Sequence, residues 1–218
     1  MSSPPPSTPA VQVACRFRPQ NGQEISSSGS ICCALTSKAT SIAQVDLSFL
    51  PDRKSNSAQY AQFTFDHVFN DKNSTQRTIY ETIVQPLVAD TLNGFNCTVI
   101  AYGQTGSGKT HTMEGPEGCK FSDDEAGILP RISYTLFKSI QTAQENHDIE
   151  QEFTFNISMS VIEIYLEKII DLLDTATHGY KPSSQQEMLK IRQDQSGSVY
   201  LEGVVEVRGW EDPFVTFS

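Results

Sequence analysis

The sequence predicts an α/β fold on three observations. "VQVACRFR" alternates Val11, Val13, Cys15 and Phe17 with more polar neighbours, the period-2 pattern of a strand, and Pro19 ends the run. The stretch that follows Asn73 and Ser74, the candidate caps, places Ile79, Ile83, Leu87, Val88 and Leu92 on one helical face and stops at Asn93 and Gly94. Beyond it, "CTVIAY" (97–102) is a short apolar run with β-branched residues, read as a strand buried on both faces, and it feeds straight into "GQTGSGKT".

The remaining elements follow from the same patterns. From Asn21 to Ala61 the content of serine, asparagine and proline predicts a loosely ordered excursion, with weak strand signals at "ICCAL" and "AQVDLSFL". "QFTFDHVF" reads as one short strand. Pro86 lies inside the first helical pattern, where a proline removes a hydrogen bond and costs about 3 kcal/mol, so that helix either kinks or is two shorter ones. A helix starting near Lys109 is interrupted by "GPEGCKFSDDEAG" and resumes at "ILPRISYTLFKSI", where Leu129, Ile132, Leu136 and Ile140 share a face and Pro130 suits a first turn. In "EFTFNISMSVIEIYL" the alternation of Phe153, Phe155, Ile157, Met159 and Val161 slips to Ile162, Ile164 and Leu166, which predicts a bulge or bend. "EKIIDLLD" reads as a short helix, and "MLKIRQD" with "VYLEGVVEVRG" as a small strand system. There is no internal repeat and no linker.

Composition narrows the partners. At 218 residues, 38% of them hydrophobic, the chain is long enough for one domain with a sizeable core. Sixteen basic residues against 26 acidic give a net charge of -10, so broad attraction to a nucleic-acid backbone or an anionic membrane is not expected to drive binding. Any anionic ligand must be met locally. Five cysteines (Cys15, Cys32, Cys33, Cys97, Cys119) without a C-x-x-C pair fit neither a disulfide framework nor a zinc cluster, and read as reduced thiols that mostly fill the core. "MSSPPPSTPA" (1–10) has four prolines and neither a basic nor an apolar region, the composition of a solvated tail and not of a signal peptide or anchor. With no run near the ~20 apolar residues that span a bilayer, the chain reads as intracellular.

The local anion site is the glycine turn. Gly103 to Thr110 fit G-x-x-x-x-G-K-[ST], the phosphate-binding loop of P-loop NTPases, with an apolar strand before and a helix after. Glycines let successive backbone N–H groups turn inward around phosphates with no side chain in the way. Gly103, Gln104, Thr105, Gly106, Ser107 and Gly108 would form that cradle, Lys109 would reach the β- and γ-phosphates, and the Thr110 hydroxyl would ligate Mg²⁺. The bland alternative, a glycine turn with an accidental lysine, leaves the matching flanks unexplained. A GTPase should carry N-K-x-D, and no such tetrapeptide occurs. His67, His147 and His178 have no metal-ligand spacing, and Glu163 and Asp171, in strand context, read as structural and not as an acid–base pair.

Four stretches, "RFRP" (16–19), "GFNCTVIAYGQTGSGKTHTMEG" (94–115), "GILPR" (127–131) and "EIYLEKIIDLL" (163–173), occur in the order seen in kinesin motor domains, and the chain after its tail closely resembles that family. The wording is most similar to the conventional kinesin heavy chain. The resemblance implies the three-layer P-loop NTPase fold, with helices flanking a central mixed sheet, and implies that Arg16, Arg18 and Pro19 line the adenine side of an ATP pocket and that Tyr80 and His111 stack against the base. Read without it, Tyr80 is a core residue beside an apolar helical face and His111 a first-turn residue. It further implies a microtubule motor that couples ATP hydrolysis to movement, in the cytoplasm on the microtubule cytoskeleton, with tubulin as partner and dimerisation through a stalk.

The resemblance also marks a departure. The family's switch loops, N-x-x-S-S-R-S-H and D-L-A-G-S-E, are not found in residues 1–218, so 11–218 reads as the nucleotide-binding portion of a motor domain that stops before the first switch. Positioning and electrostatics are nearly all of phosphoryl-transfer catalysis. The expectation is therefore ATP binding with little or no hydrolysis by this stretch alone, no catalytic residue within it, and an incomplete sheet. A nucleotide- or tubulin-binding module without hydrolysis is the competing reading.

Overall fold

In the computed structural model, residues 11–31, 33–35, 42–46, 60–70, 74–119, 123–145, 155–174 and 188–208 are described. The tail, Cys32, Asn73, His147 and His178 lie outside them. The chain divides into two units, Met1–Ser139 and Ile140–Ser218.

In the first unit, β1 (Ala14–Arg16) runs parallel to β5 (His67–Phe69), with Cys15 opposite Val68. β1 is shorter than its alternation predicts because the Val13 amide donates to the Asp66 carboxylate at 2.7 Å while the Asp66 amide donates back to the Val13 carbonyl at 2.9 Å. The same corner divides "QFTFDHVF", read as one strand, into β4 (Tyr60–Thr64) and β5. The excursion expected from Asn21 to Ala61 holds more order than its composition suggests. It contains α1 (Gly22–Ser26), and β2 (Cys33–Leu35), β3 (Ile42–Asp46) and β4 form an antiparallel sheet in that order.

The Pro86 helix is resolved into three pieces. α2 (Gln76–Ile79) is capped by Thr75, whose hydroxyl accepts from the Thr78 amide, and not by Ser74. A π turn over Tyr80–Val84 follows, and α3 (Gln85–Leu92) places Pro86 in its first turn. The Gln85 amide reaches back to the Tyr80 carbonyl to close the wider turn, and Pro86, which has no N–H to donate, follows in the first turn of α3, where no intrahelical donor is needed. Asn93 and Gly94, at φ 95°, end the helix as the sequence indicates. Ile79, Tyr80, Val84 and Val88 pack with Phe69 and with Ile128 at the start of α5 (Ile128–Glu145). Full burial of such a side chain contributes roughly 1.5–3 kcal/mol.

The stretch 97–102 forms neither helix nor strand, and nothing pairs with it among the described residues. Cys97, Val99 and Ala101 turn inward, and Ile100 and Tyr102 are 81% and 98% exposed. The expectation of burial on both faces is thus corrected to part burial on one, since nothing among the described residues covers the face of Ile100 and Tyr102. A cavity of about 650 Å³ lies beside it, lined largely by apolar side chains such as Phe69, Val84 and Met113, with Arg16 and Lys109 among its polar lining. Cys15, Cys97 and Cys119 are free thiols, half-buried and not core-filling, and burial pushes the Cys15 thiol up.

The second unit is built from hairpins. β6 (Ser158–Met159) pairs antiparallel with β11 (Val207–Arg208), β7 (Ile162–Tyr165) with β8 (Lys168–Asp171), and β9 (Lys190–Gln193) with β10 (Val199–Glu202). The phase slip read at Val161 is the break between β6 and β7. "EKIIDLLD" is not a helix at its start: Leu166 and Glu167 take left-handed φ of 47° and 65°, turning the chain from β7 into β8, and only residues 172–174 are helical. Asp171 is 6% exposed and its carboxylate accepts from the amides of Leu173, Asp174 and Val205 at 2.9, 3.1 and 2.6 Å. Its role is structural, as expected. No helix among the described residues is long and apolar enough to cross a membrane.

Candidate functional site

The loop Gly103–Thr110 leads from the stretch 97–102 into α4 (Lys109–Met113). Gly106 and Gly108 hold left-handed φ of 77° and 96°, a conformation that glycine adopts at no steric cost. Gly103 is needed for another reason: a Cβ there would meet the Ser107 hydroxyl at 2.5 Å. The Ser107 amide closes a turn onto the Gln104 carbonyl at 3.2 Å, and Thr112 ties its amide and hydroxyl to the Gly108 carbonyl at 2.9 Å each.

That leaves donors over. The amides of Gly106, Gly108, Lys109 and Thr110 meet no acceptor among the described residues. The Lys109 ammonium lies across its own loop, donating to the carbonyls of Gly103 and Gln104 at 2.9 and 3.0 Å. Thr110 is exposed beside it. No group of three or more His, Cys, Asp or Glu that could hold a metal ion occurs among the described residues. The donor set therefore fits a polyphosphate whose Mg²⁺ takes one hydroxyl from the protein and the rest of its shell from phosphate and water, the coordination that Mg²⁺ prefers.

The flanking residues divide. Arg18 reaches the loop, donating from Nε to the Gly106 carbonyl at 2.9 Å, with its Nη atoms on Glu24 at 2.7 and 2.5 Å. Those bonds, with one from the Asn21 amide, hold the Glu24 carboxyl down at about 2. Pro19 is exposed next to Arg18 and accepts from its Nη1 at 2.9 Å. His111 is exposed, its Nε2 3.7 Å from a Glu125 carboxylate oxygen.

Arg16 and Tyr80 depart from the roles the resemblance implied. The Arg16 guanidinium is turned to protein, donating to Gln76 at 3.0 Å, to the Thr112 hydroxyl at 2.7 Å and to the Ser74 carbonyl at 2.8 Å. Burial lowers its pKa, with the Glu125 charge acting the other way. Tyr80 is 6% exposed in the apolar cluster and its hydroxyl meets that of Thr135 at 2.6 Å, so neither ring face is offered to a base. This is the core position that its helical face indicates.

Two residues that sequence reasoning passed over complete the surroundings. Gln76, buried at the start of α2, accepts from Arg16 and donates to the carbonyls of His111 and Glu125, joining β1, α2 and α4 to the loop before α5. Glu24 fixes Arg18. The pattern Asn21-x-x-Glu24, a capping box, was the available signal for the second.

The kinesin motor domain family matches residues 16–211. The chain belongs to the kinesin motor family. Kinesin heavy chain of Syncephalastrum racemosum is 38% identical over 199 residues, covering 90% of this chain and 18% of that protein. Kinesin-related protein 3 of Dictyostelium discoideum is 35% identical over 198 residues, covering 91% of this chain and 14% of its own length. A solved fast kinesin superimposes with a TM-score of 0.65 at 32% identity, over 91% of this chain and 48% of that one. The fold is thus the α/β phosphate-loop fold of kinesin motors, and the chain spans less than half the length of these relatives.

Proposed function

We propose that this kinesin segment binds ATP with Mg²⁺ through Gly103–Thr110 and serves as the nucleotide-binding part of a microtubule motor. The observation that carries it is the set of amides around Gly106 and Gly108 that meet no acceptor among the described residues, beside the Lys109 ammonium. Gln104, Thr105 and Ser107 complete the turn that presents them. On binding, Lys109 exchanges two neutral carbonyls for phosphate oxygens, a charge-assisted and stronger interaction. The Thr110 hydroxyl takes the magnesium. Pro19 and His111 border the base, with Arg18 between them and the loop. When bound, Mg²⁺·ATP supplies the phosphoryl group whose transfer drives a motor. The residues of this segment bind and orient it, and none is assigned a catalytic role. Tubulin binding, dimerisation through a stalk and a place in the cytoplasm on microtubules are the parts of the proposal that rest on family membership.

The test is Mg²⁺·ATP affinity, wild type against Lys109→Ala. A loss of tenfold or more, about 1.4 kcal/mol or greater, is expected. Equal affinities would remove the loop from this role.

A further inference from the structure

Gly106 and Gly108 make the phosphate loop easy to bend, and that ease has a hazard. The Gly106–Ser107 peptide can rotate at little steric expense on its glycine side, since even a Cβ at Gly106 would meet nothing within 4 Å. A flipped peptide would break the turn that the Ser107 amide closes onto the Gln104 carbonyl, and with it the placement of the neighbouring amides. Carbonyl and following N–H point opposite ways in a trans peptide. Whatever holds the Gly106 carbonyl on the outside therefore keeps the Ser107 N–H on the Gln104 carbonyl, at 3.2 Å, and keeps closed the turn that presents the amides of Gly106, Gly108, Lys109 and Thr110. Arg18 Nε holds it, at 2.9 Å.

Arg18 is in turn aimed by Glu24. Two parallel bonds, Nη1 to Oε2 at 2.7 Å and Nη2 to Oε1 at 2.5 Å, fix the plane of the guanidinium, which leaves Nε–H directed at Gly106. Glu24 is itself seated: Oε2 accepts from the Asn21 amide at 2.9 Å, and the Asn21 side chain accepts from the Glu24 amide at 2.8 Å. A relay thus runs from α1 through Glu24 and Arg18 to the loop.

We propose that Glu24 is a positioning residue for the phosphate loop, holding Arg18 so that its Nε–H locks the Gly106 carbonyl outward and keeps the loop amides convergent on a polyphosphate. The inference rests on the ATP reading above and deepens it: Arg18 acts on the phosphate end of the ligand, through the loop, and not on the base.

The experiment compares binding of Mg²⁺·ATP and of Mg²⁺·tripolyphosphate, which has no base, to wild type, Glu24→Gln, Arg18→Met and the double variant. Glutamine also supports a capping box, so Glu24→Gln leaves α1 capped and removes the charged fork. Each single variant should weaken both ligands by about fivefold and by the same factor, with the double variant no weaker than Arg18→Met. A loss confined to ATP would assign Arg18 to the base and overturn the proposal. So would additive losses in the double variant, or wild-type affinity in Glu24→Gln. A ligand-free readout stands beside these: the Ser107 amide resonance should shift and its hydrogen exchange quicken in Glu24→Gln. Should Arg18→Met fail to fold, Arg18→Lys, which keeps the charge but lacks Nε–H, takes its place with the same expected losses. Lys109→Ala separates the two levels: if it binds tripolyphosphate as wild type does, the phosphate-loop reading itself falls, whereas its failure to bind beside an unaffected Glu24→Gln sinks only the relay.

Discussion

Residues up to Ser139 and those from Ile140 onward are held together by different means. Every buried hydrophobic side chain among the described residues, from Ala43 to Ile128, lies in the first unit. In the second, β7 and β9 are exposed along their whole length, and the one buried residue described is a carboxylate, Asp171. The contrast shows that apolar burial and hydrogen bonding can each organise a region of one chain. Burial is non-directional and tolerant, roughly proportional to area. A buried carboxylate is directional, and it orders only the amides that reach it.

The sharpest way to break this comparison is Ile79→Ala, which empties a side chain 5% exposed at the centre of the cluster. Removing it should cost about 3 kcal/mol, read as earlier unfolding and faster amide exchange through residues 69–136. Asp171→Ala comes next. It strips the acceptor from three amides and should cost about 2 kcal/mol, with exchange quickening at 173, 174 and 205 and little change around Ile79. At the far end, Ile164→Ala, at a side chain 68% exposed, should move stability by no more than about 0.5 kcal/mol. If Ile164→Ala proved as costly as Ile79→Ala, the second unit would have a core of its own and the contrast would vanish.

What the sequence made legible follows the same division. The phosphate loop and its flanks were readable because their chemistry is local: the glycines, Lys109 and Thr110 sit within eight consecutive positions. Pro86 and the slip at Val161 announced real breaks for the same reason. The hairpin at Leu166 and Glu167 was misread as helix, since neither residue type signals a left-handed turn. Arg16 was invisible in its actual part because its partners Ser74, Gln76 and Thr112 lie 58 to 96 positions away. Tyr80 shows the limit from the other side: its helical face indicated the core, and the family's pattern pointed elsewhere.

The π turn over Tyr80–Val84 has a consequence for that network. Buried positions Gln76, Tyr80, Val84 and Val88 recur every four residues, a spacing that drifts around an ideal helix of 3.6 residues per turn. The wider turn slackens the winding and lets the stripe run nearly straight. Gain or loss of one residue between Tyr80 and Pro86 would swing Gln76 by about 100°, away from both Arg16 and His111. The angular phase of one helix thereby sets whether β1, α4 and the segment before α5 can share a single amide.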